Sequence, residues 1–361
     1  MVINKVDRSS KFEVLRIISM ILIINFHIYI YTGNDLSKTA FSLNFLLSSV
    51  LGLWGILGVD IFILISSYYL IDKKNEFKTE KLLKIIVETI FYSLVLLSIF
   101  SRTGVVKITI KEIIKSIISP ISGEYWYVFS YCMLYMIYPF LNEALKKVEI
   151  KNLKKFIYVY SIFLLMRMLK NNVDISGVDI FIYIYCVMFY LKYNKDNWLE
   201  KNCKKGFIIT TIVIYLGTIS INFIGTKFNI NLLLENTKIF VTRSSLLILL
   251  DAIFLFYIFK GINIKNNKII NSFSNTTLGI YILHENRFTR EYLWNNILKM
   301  DYYYFNNNFF ALKIIFVSFG MFFIFSIIDF IRIKVLEPII FSKKNYLVKK
   351  CCKKIDDFYN G

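Results

Sequence analysis

Apolar blocks of about twenty residues recur along nearly the whole chain, and this constrains the fold more than any motif does. A helix of that length crosses a bilayer core of about 30 Å. In hydrocarbon every backbone amide needs a partner within its own segment, and no alternating pattern suits a barrel strand, so the blocks read as helices. They run about 12–31, 50–71, 82–101, 125–142, 154–170, 178–193, 206–224, 239–259, 269–286 and 309–331. The expected fold class is therefore all-α, a polytopic bundle of about ten transmembrane helices. Residues 1–341 form the membrane domain and 342–361 a basic cytoplasmic tail too short for a core of its own.

Composition removes the main rivals. Of 361 residues, 56% are apolar and 19% charged, against about 25% charged in soluble domains, which argues against a soluble enzyme. Lys and Arg total 44 against 25 acids. They lie in short runs between apolar blocks, where they orient a membrane protein, and no nucleic-acid partner is expected. Cys132, Cys186, Cys203, Cys351 and Cys352 show no CxxC spacing and predict neither a disulfide framework nor a metal site. The first block is too long for a signal-peptide core and ends in NFHIYIYTG, so it is expected to stay in the mature protein.

Lysines cluster in alternate loops: Lys5, Arg8 and Lys11 at the start, Lys73, Lys74, Lys78 and Lys81 in loop two, then Lys146–Lys155, Lys192–Lys205, Lys260–Lys268 and Lys343–Lys354. By the positive-inside rule both termini are cytoplasmic and the protein is a multi-pass plasma-membrane protein. Ile110, Ile113, Ile114 and Ile117 in loop three predict an amphipathic helix on the outer interface.

The chain has two histidines, His27 and His284, both in or at the edge of apolar blocks. Ionisable groups at membrane depth are costly and point to function. Arg16 and His27 are eleven residues apart, three helical turns plus about 20°, so they share a face and stand about 16 Å apart along the axis. A guanidinium near the cytoplasm holds phosphate with a planar fork of donors. An imidazole, with an ordinary pKa of about 6.5, takes a proton from a hydroxyl near neutral pH. That arrangement suits a cytoplasmic acyl-CoA donor and an extracytoplasmic hydroxyl acceptor. Against it stand plainer readings: Arg16 as a headgroup anchor paired with Glu13, and His27 as a packing residue bonded to a neighbouring helix.

Asp60, about 16 Å up the second block, lies at a height where it can meet His27 and fix its tautomer, or else pair with a base for packing. His284, Glu285, Asn286 and Arg290 fall at the outer end of the ninth block, where they can bind sugar hydroxyls or simply cap a helix. Trp126 is placed to stack on a sugar ring or to sit in the interfacial aromatic belt. Glu88, Arg243 and Asp251 read as members of structural pairs.

The run FEVLRIISMILIINFHIYIY, with Arg16, ten residues and then His27, resembles the first helix of the acyltransferase family 3 membrane proteins. GVDIFILISSYYL resembles that family's second helix. YWYVFSYCMLYMIYPFLN, and LGIYILHEN followed by Arg290, are similar to its Gram-positive polysaccharide O-acetyltransferases. The four motifs occur in matching order over nearly the whole chain. Two departures stand out: Ser66-Ser67 replaces a Ser-Gly pair, and Lys78, Lys81 and Lys84 stand where many members carry arginines.

The resemblance implies an O-acyltransferase moving an acyl group, acetyl above all, from acyl-CoA to a hydroxyl of a cell-surface or lipid-linked glycan, without metal and alongside polysaccharide-assembly proteins. Its catalytic residues would be His27, Asp60 and Arg16. The donor would be held by Arg16, Lys81 and Lys84, and the glycan by His284, Glu285, Asn286, Arg290 and Trp126. A transporter or flippase for a lipid-linked saccharide is the rival class, weakened by the lack of inverted repeats. A glycan polymerase is a third.

Overall fold

The computed structural model describes residues 9–31, 47, 50–73, 77–169, 177–194, 197–236, 239–299, 309–341 and 345–360. Lys5, Arg8, Lys74, Lys195 and Lys343, which bear on the orientation, lie outside the described residues. All regular structure among the described residues is helical, as the block lengths require.

The elements in order are α1 Lys11–Tyr31, α2 Gly55–Ile71, α3 Thr79–Arg102, α4 Ile110–Ile117, α5 Trp126–Lys147, α6 Ile150–Leu169, α7 Val178–Tyr193 and α8 Trp198–Phe228, then α9 Asn231–Glu235, α10 Leu246–Gly261, α11 Lys268–Asn275, α12 Thr277–Glu285, α13 Arg287–Tyr292, α14 Phe310–Ile340 and α15 Tyr346–Asn360. Among the described residues five helices are long and apolar enough to cross a membrane: Lys11–Tyr31, Val50–Ile71, Thr79–Arg102, Trp198–Phe228 and Phe310–Ile340. Each of the other expected blocks is helical but shorter or more polar. For example, α7 and α10 are 16 residues long, and α6 carries Lys151, Lys154 and Lys155 in its first turns.

Two expected blocks begin or break differently. The helix expected at about 239–259 starts at Leu246, after a 3₁₀ turn at Ile239–Val241, because the Ser245 hydroxyl accepts the Ile248 amide and caps it. The block at about 269–286 is two helices, α11 and α12, that meet at Thr276. There the Thr276 hydroxyl lies 2.8 Å from the Phe273 carbonyl and 3.0 Å from Ser326, and Thr277 bonds the Ser274 carbonyl at 2.9 Å. Threonine hydroxyls that capture carbonyls compete with the helical ladder.

Helix α2 is the central rod. It packs on α1, α7 and α10, and most of its side chains are buried. Its contact with α1 is close because Gly58 faces it: a Cβ there would stand 2.6 Å from the Ser19 carbonyl oxygen. Small residues let helix backbones approach in this way. The outer helices show the opposite pattern. Ile208, Ile212 and Leu216 of α8, and Phe316, Phe323 and Ile327 of α14, are exposed. Continuous apolar faces of this kind need lipid as solvent. On α4, Ile110, Ile114 and Ile117 are exposed as well, consistent with the amphipathic pattern. The final helix α15 lies against the start of α3, where Asp356 accepts the Thr79 amide at 2.7 Å and Asn360 accepts the Phe77 amide at 2.8 Å. The tail is thus a helix docked on the bundle.

Candidate functional site

A cavity of about 1240 Å³ opens beside α1. Arg16, Met20, Ile23, His27 and Tyr31 line it at three- and four-residue spacing, so one stripe of α1 forms a wall. Facing residues include Val59, Phe62 and Ser66 of α2, Trp126, Tyr127 and Tyr131 of α5, and Tyr281 and Glu285 of α12. Arg16 and His27 therefore share one chamber, as their spacing predicts.

Arg16 pairs with Glu13 at 2.9 Å, the i,i+3 partner, and Ser274 of α11 donates to the same Glu13 oxygen at 2.5 Å. The guanidinium is thereby steadied on the wall it lines. His27 lies 8% exposed. Its Nδ1 stands 2.9 Å from His284 Nε2 and 3.3 Å from Glu285 Oε1. His284 is fully buried behind it, with Nδ1 2.6 Å from the Ile280 carbonyl oxygen, and does not line the cavity. Tyr31 donates to Glu285 Oε2 at 3.4 Å, and Arg290 Nη1 donates to the Tyr31 hydroxyl at 3.1 Å and stands 3.8 Å from Glu285 Oε2. Glu285 Oε1 is buried without a hydrogen bond.

Asp60 does not join this group. It is buried but neither lines the cavity nor forms a hydrogen bond or ion pair with His27. The reason is angular: Gly58 faces α1, and Asp60, two residues on, is turned about 200° around α2. Matching heights made the pair plausible, but the helix phase forbids it, and the carboxylate beside His27 is Glu285.

The remaining expected site residues divide. Glu285, Arg290 and Trp126 line the cavity. Trp126 carries the Arg243 guanidinium 3.9 Å over one ring face. Asn286 is 1% exposed and works as a cap: its Oδ1 accepts the Phe288 amide at 3.1 Å and its Nδ2 donates to the Tyr125 hydroxyl at 2.8 Å. Lys81 and Lys84 lie off the cavity, and Lys84 pairs with Glu80 at 3.3 Å and Glu337 at 3.5 Å.

Arg167 and Arg243, which also line the cavity, are absent from the expected site. Arg167 bonds Asp179 of α7 at 2.5 Å. A cation near the end of one apolar block and an acid at the start of the next were a readable signal for that pair. Nearby, Glu124 lines the cavity, and its Oε1 lies 3.5 Å from the Arg287 amide. Burial raises its carboxyl above the ordinary range, against the pull of Arg287.

Among the described residues, His27, His284 and Glu285 could hold a metal ion, since one ligand atom from each lies within 4.8 Å of the others. The 2.9 Å between the imidazole nitrogens is equally a hydrogen-bond distance.

An all-helical membrane protein with a buried histidine–carboxylate group on the wall of a central chamber is the class these features define. Residues 10–332 match the acyltransferase family 3 profile, whose description is an acyltransferase domain, and the chain belongs to that family. No curated protein and no solved structure matches it.

Proposed function

We propose that this membrane acyltransferase moves an acyl group, acetyl first among them, from cytoplasmic acyl-CoA to a hydroxyl of a cell-surface or lipid-linked glycan. The observation that carries the proposal is the single chamber with Arg16 and His27 on one wall, three helical turns apart. With the lysine-rich loops in the cytoplasm, Arg16 lies at the inner end and meets a donor phosphate. The pantetheine arm then reaches along the wall, and the thioester comes to rest beside His27.

In the reaction, the acceptor hydroxyl gives its proton to the imidazole as its oxygen bonds the acyl carbon. The carbon–sulfur bond breaks, and the imidazolium returns the proton to the departing CoA sulfur. Atoms and charge balance with no further reactant. Glu285, 3.3 Å from His27 Nδ1, stabilises the imidazolium while it exists. This replaces the role first expected of Asp60. Trp126 and Arg290, which line the same chamber, offer an aromatic face and charged donors to the sugar. Donor phosphates fall to Arg16, which lines the chamber, rather than to Lys84, which lies off it.

The deciding experiment compares surface glycans by mass spectrometry from cells with the intact gene, without it, and with His27→Ala. Loss of one acyl adduct in both altered strains, restored by the wild-type gene, supports the proposal. Unchanged acylation with altered amounts or lengths of glycan would instead indicate transport or polymerisation.

A further inference from the structure

The route of the protons through the two histidines is fixed by what surrounds them. A neutral imidazole has one N–H donor and one acceptor nitrogen. His284 Nδ1 lies 2.6 Å from the Ile280 carbonyl oxygen. A carbonyl only accepts, so Nδ1 of His284 carries the proton and Nε2 holds a lone pair. That Nε2 lies 2.9 Å from His27 Nδ1, and the other neighbour of His27 Nδ1 is Glu285 Oε1 at 3.3 Å. The His284 lone pair only accepts, and Glu285 Oε1 makes no hydrogen bond that competes, so the proton of His27 belongs on Nδ1. His27 Nε2 makes no hydrogen bond to any described residue, while the ring lies on the cavity wall. It is left as the bare nitrogen.

We propose that His284 is a positioning residue. By relaying the Ile280 carbonyl through its own ring, it fixes His27 as the Nδ1–H tautomer and leaves the basic Nε2 to the reacting hydroxyl. This rests on the acyltransferase reading above. His284 itself touches no substrate, being fully buried and off the cavity. Its contribution is to stop the imidazole from turning or from adopting the Nε2–H form, the commoner one in free histidine, which would present a proton where a lone pair is needed.

The chain has only two histidines, which makes a direct test practical. The full-length protein, labelled with ring-15N histidine and reconstituted in lipid, is read by solid-state nitrogen NMR near neutral pH. Two protonated Nδ1 and two unprotonated Nε2 signals are expected, with the His27 pair assigned by its loss in His27→Gln. A His27 signal from protonated Nε2 overturns the proposal. So does a metal-shifted resonance with stoichiometric metal in the purified protein, since a metal would take the place of the shared proton.

Kinetics give the second arm. Thiol release from acetyl-CoA and from succinyl-CoA is followed with surface glycans extracted from the producing cells as acceptor. His284→Phe keeps an aromatic ring but offers no acceptor to His27, and a fall in kcat of at least about tenfold at unchanged KM for the thioester is expected. His284→Gln, whose amide can accept from His27, restores part of the rate. Equal loss in both variants, or a normal rate in His284→Phe, overturns the positioning role. Silence of the wild-type protein with both thioesters counts against the acyltransferase reading, and the nitrogen spectrum still judges the tautomer.

Discussion

Two of the buried polar clusters among the described residues are built on opposite plans. Around Arg332 of α14 the charges close on one another. Its Nε meets Asp329 at 2.5 Å, its Nη2 stands 3.1 Å from Glu88 of α3, its Nη1 stands 3.3 Å from Glu337, and Tyr92 donates to Asp329 at 2.7 Å. None of these groups lines the cavity. Around His27 the cluster instead reaches the chamber, whose lining includes His27 and Glu285. The first network spends its electrostatics on joining α3 to α14, whereas the second borders a space that a ligand can enter. Burial and charge are common to both, so contact with the cavity is what distinguishes the two.

The sharpest way to break this distinction is to truncate the central residue of each cluster. His27→Ala should lower acyl transfer by roughly 10²–10⁴-fold, the range of a lost general base, with the melting temperature held within a few degrees. Activity within tenfold of wild type would remove His27 from the chemistry. Arg332→Leu should do the reverse. It leaves Glu88 and Asp329 buried without their cation, at about 3–5 kcal/mol, so the folded yield collapses. A well-folded Arg332→Leu protein that had lost only its activity would merge the two clusters into one functional unit.

The next effect is smaller and tests the far end of the chamber. Arg16→Lys keeps the charge but loses the planar fork. The KM for acyl-CoA should rise about tenfold, or roughly 1.4 kcal/mol, while kcat stays near wild type. A fall in kcat at constant KM would place Arg16 with the reacting atoms instead of with the donor phosphates.

Sequence carried the comparison only part of the way. The shared face of Arg16 and His27 was readable because both lie on one helix, where phase is arithmetic. The Arg16–Glu13 pair was readable for the same reason. Asp60 was misplaced because relating residues on two helices needs their relative rotation, and no single-chain pattern supplies it. His284 and Glu285 were identified near the site, but their grouping with His27 depends on the break at Thr276 that sets the direction of α12. Glu88 was read as a structural pair member and is one. Arg243 also stacks on Trp126 at the cavity wall.

The smallest expected effect bears on the lysines at the start of α3. Family resemblance put Lys81 and Lys84 on the donor, yet both lie off the cavity, and Lys84 is spanned by Glu80 on its own helix and Glu337 on α14. These pairs are partly exposed, so each is worth at most about 1 kcal/mol after screening. Joint replacement, Lys81→Ala with Lys84→Ala, should change the KM for acyl-CoA by less than about twofold and lower the melting temperature by only a few degrees. A rise in KM comparable to that of Arg16→Lys would mean that donor phosphates reach the start of α3. The anion site would then extend beyond the chamber wall, and the ion pairs with Glu80 and Glu337 would be contacts that the donor displaces as it binds.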